Sequence, residues 1–124
     1  APAIRNFKNN FLTELIGTFM LVFGVLFIVG PNIEINGSEI QNFGLGSLDA
    51  LPVGILVWVI GMALGGATGY AINPARDLGP RLMYQLLPRK NKKADWSYSW
   101  VPVLGPITGS VLAGMAFLAL EAIA

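Results

Sequence analysis

Five consecutive residues, Asn73–Asp77, read Asn-Pro-Ala-Arg-Asp and combine several groups that could bind a solute. Asn73 is a favoured residue at a helix N-cap, and Pro74 is favoured at the first helical position after it. The first amide groups of a helix lack partners within it, and this end carries about half a positive charge. With the side-chain amide of Asn73 as a further donor, it would bind the oxygen of water or an alcohol and repel cations. The alternative is a simple N-cap without a ligand.

Arg76 is notable because it follows a stretch without any charge, Ala50–Ile72, by only four positions. A charge near the centre of a bilayer is energetically costly, and such residues usually face a water-filled path. The alternative is an arginine at the membrane surface whose side chain extends to the lipid head groups. The spacing alone does not separate these two interpretations.

Glu14 lies near the start of an otherwise apolar stretch, Phe11–Gly30. A carboxylate that is buried needs hydrogen-bond partners. Glu14 would either accept from backbone amides of an irregular loop, which it would thereby brace, or lie at the membrane surface where the helix begins. The residues alone leave both interpretations open.

Enzymatic chemistry finds no support in the residue types. The 124 residues include no Cys and no His, which excludes disulfides and thiolate metal sites and removes the commonest general base. No nucleophile–base pair, metal-ligand cluster or phosphate-binding loop is recognisable. We therefore predict that the chain is not an enzyme and binds no metal or cofactor. A net charge of +1 gives no reason to expect a nucleic-acid partner.

The composition is typical of a membrane protein. Hydrophobic residues make up 54% of the chain and charged residues 12%, whereas soluble domains carry about 25% charged residues. A spanning helix needs roughly 20 mostly apolar residues. We predict spans at about residues 11–30, 50–66 and 97–121. The aromatic residues at the start of the third span are typical of a membrane interface, namely Trp96, Tyr98 and Trp100.

Residues 67–87 are predicted to form a re-entrant loop followed by a half-helix. A helix from Pro74 to about Leu87 would be roughly 20 Å long, which is too short to span. The run Gly65–Gly69 would be the non-helical return that precedes it. Irregular backbone at membrane depth is tolerated only where it is buried in protein or lines a wet cavity. The pattern therefore indicates a pore or binding cavity, and the alternative is one long kinked helix over Ala50–Leu87.

Two glycine pairs, Gly61 with Gly65 and Gly105 with Gly109, have the spacing of small residues at close helix crossings. The polar stretch Pro31–Asp49 is rich in Asn, Gly and Ser and is predicted to be a loop.

Asn73–Asp77 and the Leu-Gly-Pro-Arg that follows resemble the second signature loop of the major intrinsic proteins, the aquaporin superfamily. Thr13–Phe19 resembles the family's helix with a buried glutamate, and Val101–Pro106 resembles the start of its last helix. The family fold is two inverted repeats, each of three spans and one half-helix. The resemblance covers essentially the whole chain but only the second repeat. It implies an all-α membrane protein in which residues 1–124 form one aquaporin-like repeat.

The resemblance also implies roles for single residues. Arg76 would lie in the outer selectivity constriction, with Gly61 and Tyr70 in the same ring. Gly61 stands where strict water channels usually place His, and would leave room for a carbon backbone. Tyr70 would be an aromatic wall for the CH groups of glycerol, although the glycerol facilitators commonly have Phe there. Asn73 and Arg76 would donate hydrogen bonds, and a row of backbone carbonyls would accept them, from Thr68, Gly69, Tyr70 and Ala71.

Asp77, Arg81 and the pair Pro102-Val103 resemble the glycerol-conducting branch of the family. The implied function is a passive channel for glycerol, other small uncharged polyols and water. A channel selective for water or another small neutral solute is the first alternative, and a non-conducting helical membrane subunit is the second. The implied partners are a missing N-terminal repeat, the lipid bilayer of the plasma membrane, and further copies in a homotetramer.

The charges conflict with the orientation that the resemblance implies. The family places the loop at Pro31–Asp49 in the cytoplasm and residues 74–95 outside. Residues 74–95 carry six Lys or Arg against two Asp, and Pro31–Asp49 has no Lys or Arg. Because positive residues favour the cytoplasmic side, the rule predicts the opposite insertion. We keep the orientation of the family, since the first helix often sets it and that helix belongs to the other repeat.

Overall fold

A computed structural model of the chain describes residues 2–28, 48–88 and 93–123, and the backbone of residues 33–35 and 38–40. Its regular elements, in chain order, are α1 (Phe7–Phe27), β1 (Ile33–Ile35), β2 (Ser38–Ile40), α2 (Leu51–Thr68), α3 (Pro74–Leu86), a 3-10 turn (Trp96–Tyr98) and α4 (Val101–Glu121). The predicted fold class, an all-α membrane protein with three spans and one shorter helix, is confirmed.

Within the described part of the chain, three helical segments are long and apolar enough to cross a membrane: Phe7–Phe27, Leu51–Thr68 and Trp96–Glu121. The first begins at Phe7, four residues before the predicted start, because Asn6 caps it by accepting from the amide of Asn9 at 3.1 Å. The predicted start followed the apolar stretch alone, whereas a polar cap can extend a helix beyond its apolar part.

The segment between α2 and α3 is not helical, so the interpretation of Ala50–Leu87 as one kinked helix is wrong. α2 continues through Gly65 to Thr68, so the prediction of a non-helical return over Gly65–Gly69 is wrong for all but its last residue. Gly69 follows in the left-handed region with φ 76°. Tyr70 and Ile72 also have positive φ values, 39° and 42°. α3 then begins at Pro74, with 13 residues and a length of about 20 Å.

α1 and α4 form the closest helix pair, and glycines of α4 make their approach possible. A Cβ added at Gly105 would lie 2.8 Å from the Cβ of Glu14, and one at Gly109 would collide with the carbonyl oxygen of Leu15. The buried stripe of α4 recurs every four residues, at Val101, Gly105, Gly109 and Ala113. Gly105 and Gly109 therefore mark a close crossing, as their spacing predicted.

The aromatic residues ahead of α4 divide into two kinds. Trp96 and Trp100 are 46% and 42% exposed, as residues of an interfacial belt would be, whereas Tyr98 is buried. The ring of Phe7 lies 5.9 Å from that of Tyr98 and 6.0 Å from that of Trp100, between ring centroids. Tyr98 therefore belongs to the packing between the starts of α1 and α4, which the sequence pattern did not reveal.

Two predicted loops are described only in part. Within Pro31–Asp49, which was predicted to be a loop, the structure has a short antiparallel hairpin with Glu34 opposite Glu39. The rest of that stretch up to residue 47 lies outside the described residues, as do residues 89–92 of the basic loop.

Much apolar surface stays uncovered in the single chain. On α2, Ile60 is buried, whereas Trp58 and Met62 are each 66% exposed. Met115 and Leu118 of α4 are 62% and 64% exposed. A surface of this kind is expected against lipid or against another polypeptide.

We expect Gly109→Ala to lower the stability of the protein. The new Cβ would meet the backbone of Leu15 and the amide nitrogen of Phe19, so α1 and α4 would have to separate. Gly114→Ala is the matched control on the same helix, because its Cβ would meet nothing within 4 Å. Ala favours a helix over Gly by about 1 kcal/mol, so the control should be neutral or stabilising. Thermal unfolding in detergent micelles checks this, and equal melting temperatures would contradict the close crossing.

Candidate functional site

The carboxylate of Glu14 holds the return between α2 and α3. Its Oε1 accepts from the amide of Ala71 at 3.0 Å and its Oε2 from the amide of Ile72 at 2.6 Å. Glu14 is 1% exposed. These contacts correspond to the bracing interpretation of this residue, since a side chain at the membrane surface would be solvated. Hydrogen bonds to an ionised acceptor are about twice as strong as neutral ones, so the return is firmly held.

Two residues of this return, Tyr70 and Ile72, have the positive φ values that residues other than glycine seldom adopt. Each such residue costs about 1–3 kcal/mol and persists only where its surroundings fix it. Three hydrogen bonds fix this backbone. The amide of Tyr70 donates to Oγ1 of Thr68 at 3.0 Å, and the amides of Ala71 and Ile72 donate to Glu14. Strain of this kind is common at binding sites.

The hydrogen bonds of residues 68–71 use their amide and hydroxyl groups. The amide of Gly69 donates to the carbonyl of Gly65, and the amides of Tyr70 and Ala71 donate as described above. The carbonyl oxygens of residues 68–71 accept no hydrogen bond from the described residues. These are the four carbonyls that the sequence analysis assigned to the pore.

The ring of Tyr70 lies on α2, over two glycines. A Cβ added at Gly61 would lie 3.0 Å from Cζ of Tyr70, and one at Gly65 would lie 2.9 Å from its Cδ1. Gly61 and Gly65 therefore accommodate an aromatic ring, whereas their spacing had predicted a helix crossing. The room that Gly61 leaves is filled from within the same chain, by Tyr70.

Asn73 and Arg76 lie at the start of α3. Oδ1 of Asn73 accepts from the amide of Ala75 at 2.9 Å, so this exposed side chain caps the helix through its oxygen and keeps its NH₂ group as a donor. The guanidinium carbon of Arg76 lies 4.6 Å from the centroid of the Tyr70 ring. This is a cation–π contact, and it brings together Gly61, Tyr70 and Arg76.

Asp77 and Arg81 form a two-pronged ion pair one turn further along α3. Nε of Arg81 donates to Oδ2 of Asp77, and its second terminal nitrogen donates to Oδ1, both at 2.7 Å. The remaining nitrogen donates to the carbonyls of Ala94 and Asp95, the latter at 2.6 Å. Arg81 is buried. The pair therefore ties α3 to the segment ahead of α4.

A cavity of about 380 Å³ opens beside this pair. Its charged lining residues are Arg76, Asp77, Arg81, Lys93 and Asp95. Since Asp77 is paired with Arg81, the charge of Arg76 at the cavity wall is left without a carboxylate partner among the described residues. The cavity would therefore attract groups with oxygen acceptors.

Three polar residues of this region escaped the sequence analysis. Arg5 forms an ion pair with Asp95, with nitrogen–oxygen distances of 2.5 and 2.9 Å. The hydrogen bond from Arg5 lowers the pKa of the Asp95 carboxyl and raises that of Arg5. Asn10 is 1% exposed and donates to the carbonyl of Ile4 at 2.7 Å and to the hydroxyl of Tyr98 at 3.0 Å.

Only Asn10 left a usable signal, because it lies four residues before Glu14 and hence on the same face of α1. The pair of Arg5 with Asp95 joins positions 90 residues apart, for which no local pattern exists.

Glu14→Gln is expected to destabilise the protein. The amide side chain offers one acceptor in place of two, so the amide of Ala71 or Ile72 loses its partner, at about 1–3 kcal/mol for a buried donor. Glu121→Gln, at the exposed end of α4, is the control. The measurement is thermal unfolding in detergent micelles, with size-exclusion chromatography to follow folded protein. Equal stability of both variants would show that the carboxylate does not brace the return.

The family model of the major intrinsic proteins matches residues 2–117. The chain is 54% identical over 112 residues to the Probable glycerol uptake facilitator protein of Thermotoga maritima, which covers 90% of this chain and 43% of that protein. It is 50% identical over 118 residues to Glycerol uptake facilitator protein 3 of Lactiplantibacillus plantarum, covering 94% and 44%. It is 45% identical over 117 residues to the Glycerol uptake facilitator protein of Streptococcus pneumoniae, covering 94% and 45%.

The chain thus spans less than half the length of these curated relatives, each of which is named a facilitator and not an enzyme. The family model matches nearly the whole chain. On these grounds the chain belongs to the major intrinsic protein family.

Proposed function

We propose that this chain forms one side of a passive channel for glycerol, other small uncharged polyols and water. The observation that carries the proposal is the return over residues 69–72, in which Glu14 holds the amides of Ala71 and Ile72 directly before α3 begins at Pro74. A second support comes from the relatives, which are named as glycerol uptake facilitators.

The carbonyls of residues 68–71 would accept hydrogen bonds from the solute. Their own amides are engaged elsewhere, with Glu14, Thr68 and Gly65, so the carbonyls are the groups left to a hydroxyl. Asn73 and Arg76 would donate at the end of this row. A polyol hydroxyl exchanges water for these partners with little net change in free energy, because each hydrogen bond lost is replaced by another.

The side chains around Arg76 would set selectivity. The ring of Tyr70 is an apolar wall for CH groups, and the guanidinium above it is a donor for hydroxyl groups. The positive end of α3 and the charge of Arg76 repel cations, so the channel favours neutral solutes. The ring of Tyr70 occupies the space beside Gly61, so the width of the pore depends on the position of this ring.

A complete pore needs a second wall. We propose that this wall is a first repeat with its own half-helix, which would cover the exposed apolar face of α2, and that the assembled pores form a homotetramer in the plasma membrane. The large exposed side chains of α2 and the length of the relatives support this proposal. We keep the orientation in which residues 74–95 lie on the extracellular side of the membrane. Residues 89–92 of this stretch are not among the described residues.

The first test of function is glycerol flux through the complete pore, this chain together with its first repeat, in proteoliposomes. We expect glycerol permeability well above that of empty vesicles in a stopped-flow light-scattering assay. Arg76→Ala should change the permeability, because the donor at the constriction is lost. A rise in water permeability alone would favour the water-selective alternative. Normal assembly with no flux of either solute would favour a non-conducting subunit.

The second test concerns the fit between Gly61 and Tyr70. Gly61→His and Gly61→Ala should lower glycerol permeability more than water permeability, because each new side chain meets the Tyr70 ring and moves it into the bore. Gly66→Ala on the same helix is the control, since its Cβ would meet nothing within 4 Å. If Gly61→Ala and Gly66→Ala have the same ratio of glycerol to water permeability, the ring does not set the bore.

A further inference from the structure

Arg5 lies just ahead of α1 and is held on three sides. Its guanidinium makes two hydrogen bonds to the carboxylate of Asp95, at 2.5 and 2.9 Å, and one to Oγ of Ser97, at 2.9 Å. It also lies 5.2 Å from the ring centroid of Phe7 and 5.9 Å from that of Tyr98. The side chain of Arg5 is 46% exposed, and a surface ion pair alone contributes little. The two-pronged contact with Asp95 and the two nearby rings restrict where the guanidinium can lie.

Asp95 connects this arginine to a second one. Its carboxylate is bound by Arg5, and its backbone carbonyl accepts from Arg81 at 2.6 Å. Asp95 has φ 50°, a left-handed conformation that costs about 1–3 kcal/mol unless other contacts compensate for it. The two arginines supply such contacts, together with the hydroxyl of Ser97 and the amide of Tyr98, which donate to the carboxylate and the carbonyl of Asp95 at 3.0 Å each. Arg5 is the cation bound to both oxygens of the carboxylate.

The contacts continue into α3 and end beside the constriction. Arg81 holds both carboxylate oxygens of Asp77, and Asp77 is the neighbour of Arg76. Asp95, Arg81, Asp77 and Arg76 line the same cavity. A continuous set of ion pairs and hydrogen bonds thus leads from the segment before α1 to the first turn of the half-helix.

We propose that Arg5 is a positioning residue for the selectivity constriction. By fixing Asp95 it fixes Arg81 and the start of α3, and thereby the place of the Arg76 guanidinium over the Tyr70 ring. The inference rests on the proposed channel function and adds a residue that determines specificity from outside the pore lining. Without Arg5, Asp95 can leave its left-handed conformation, Arg81 loses a fixed acceptor, and the constriction admits a wider range of solutes.

The experiment compares two polyols in proteoliposomes that contain the complete pore. The variants are Arg5→Met, which keeps the stem but removes the charge and the hydrogen bonds, and Arg5→Lys, which keeps the charge only. Lys8→Met is the matched control, because Lys8 is an exposed cation at the start of α1. The readout is the ratio of erythritol to glycerol permeability, which does not depend on how much folded protein each preparation contains.

We expect the ratio to rise by about 2-fold or more in Arg5→Met, the lower end of the effects that contacts in a network have on a distant site. Arg5→Lys should lie between Arg5→Met and the unchanged protein, and gives the answer if Arg5→Met does not fold. Lys8→Met should leave the ratio as it is. A merely structural role would lower both permeabilities together, so an unchanged or lowered ratio in the Arg5 variants overturns the inference.

The same assay separates this inference from the proposed function. If the unchanged protein shows no glycerol flux above empty vesicles, the channel proposal fails, and the inference fails with it. If the unchanged protein conducts glycerol but the Arg5 variants keep its solute ratio, only the positioning role of Arg5 is overturned.

Discussion

Backbone amides that leave a helix inside a membrane must find a partner other than water, because an unpaired amide there costs several kcal/mol. In this chain the partner is the carboxylate of Glu14, which accepts from Ala71 and Ile72. The contact turns the amides of the return toward α1, while the carbonyls of residues 68–71 accept no hydrogen bond from the described residues. It also sets where the chain enters α3, and so where Asn73 presents its side chain. The unusual backbone conformations of the return persist because this carboxylate holds it.

Small residues decide how closely the other parts approach that contact. Gly105 and Gly109 let α4 touch the backbone of α1, which buries Glu14 and excludes water from its hydrogen bonds. Gly61 and Gly65 do something different, since they receive the ring of Tyr70 and bring it under Arg76. The same spacing of glycines therefore has two uses in one chain, a helix crossing and a seat for an aromatic ring.

Near the start of α3 and ahead of α1 and α4, the described charged side chains form two ion pairs. Asp77 with Arg81 and Asp95 with Arg5 each satisfy a carboxylate with both prongs of a guanidinium. Arg81 is buried, and a buried charge is tolerated only when it is paired and hydrogen-bonded, which here it is on every side. With both aspartates engaged, Arg76 has no carboxylate partner among the described residues, and its guanidinium lies over the ring of Tyr70.

By itself the sequence predicted the membrane class, the approximate spans and a half-helix, because hydropathy, the Asn-Pro cap and chain length act locally. It left one long kinked helix over Ala50–Leu87 open as an alternative, which the structure excluded. It also pointed to Asn73, Arg76 and Glu14 as residues of interest, and the family resemblance assigned them roles. Only the tertiary structure decided whether Glu14 is buried or interfacial, since its partners lie 57 and 58 residues away. The tertiary structure also decided that the ring of Tyr70 packs on Gly61 and that Arg5 pairs with Asp95. Such contacts depend on how the helices pack against one another, and the residue pattern of a single segment does not predict that packing.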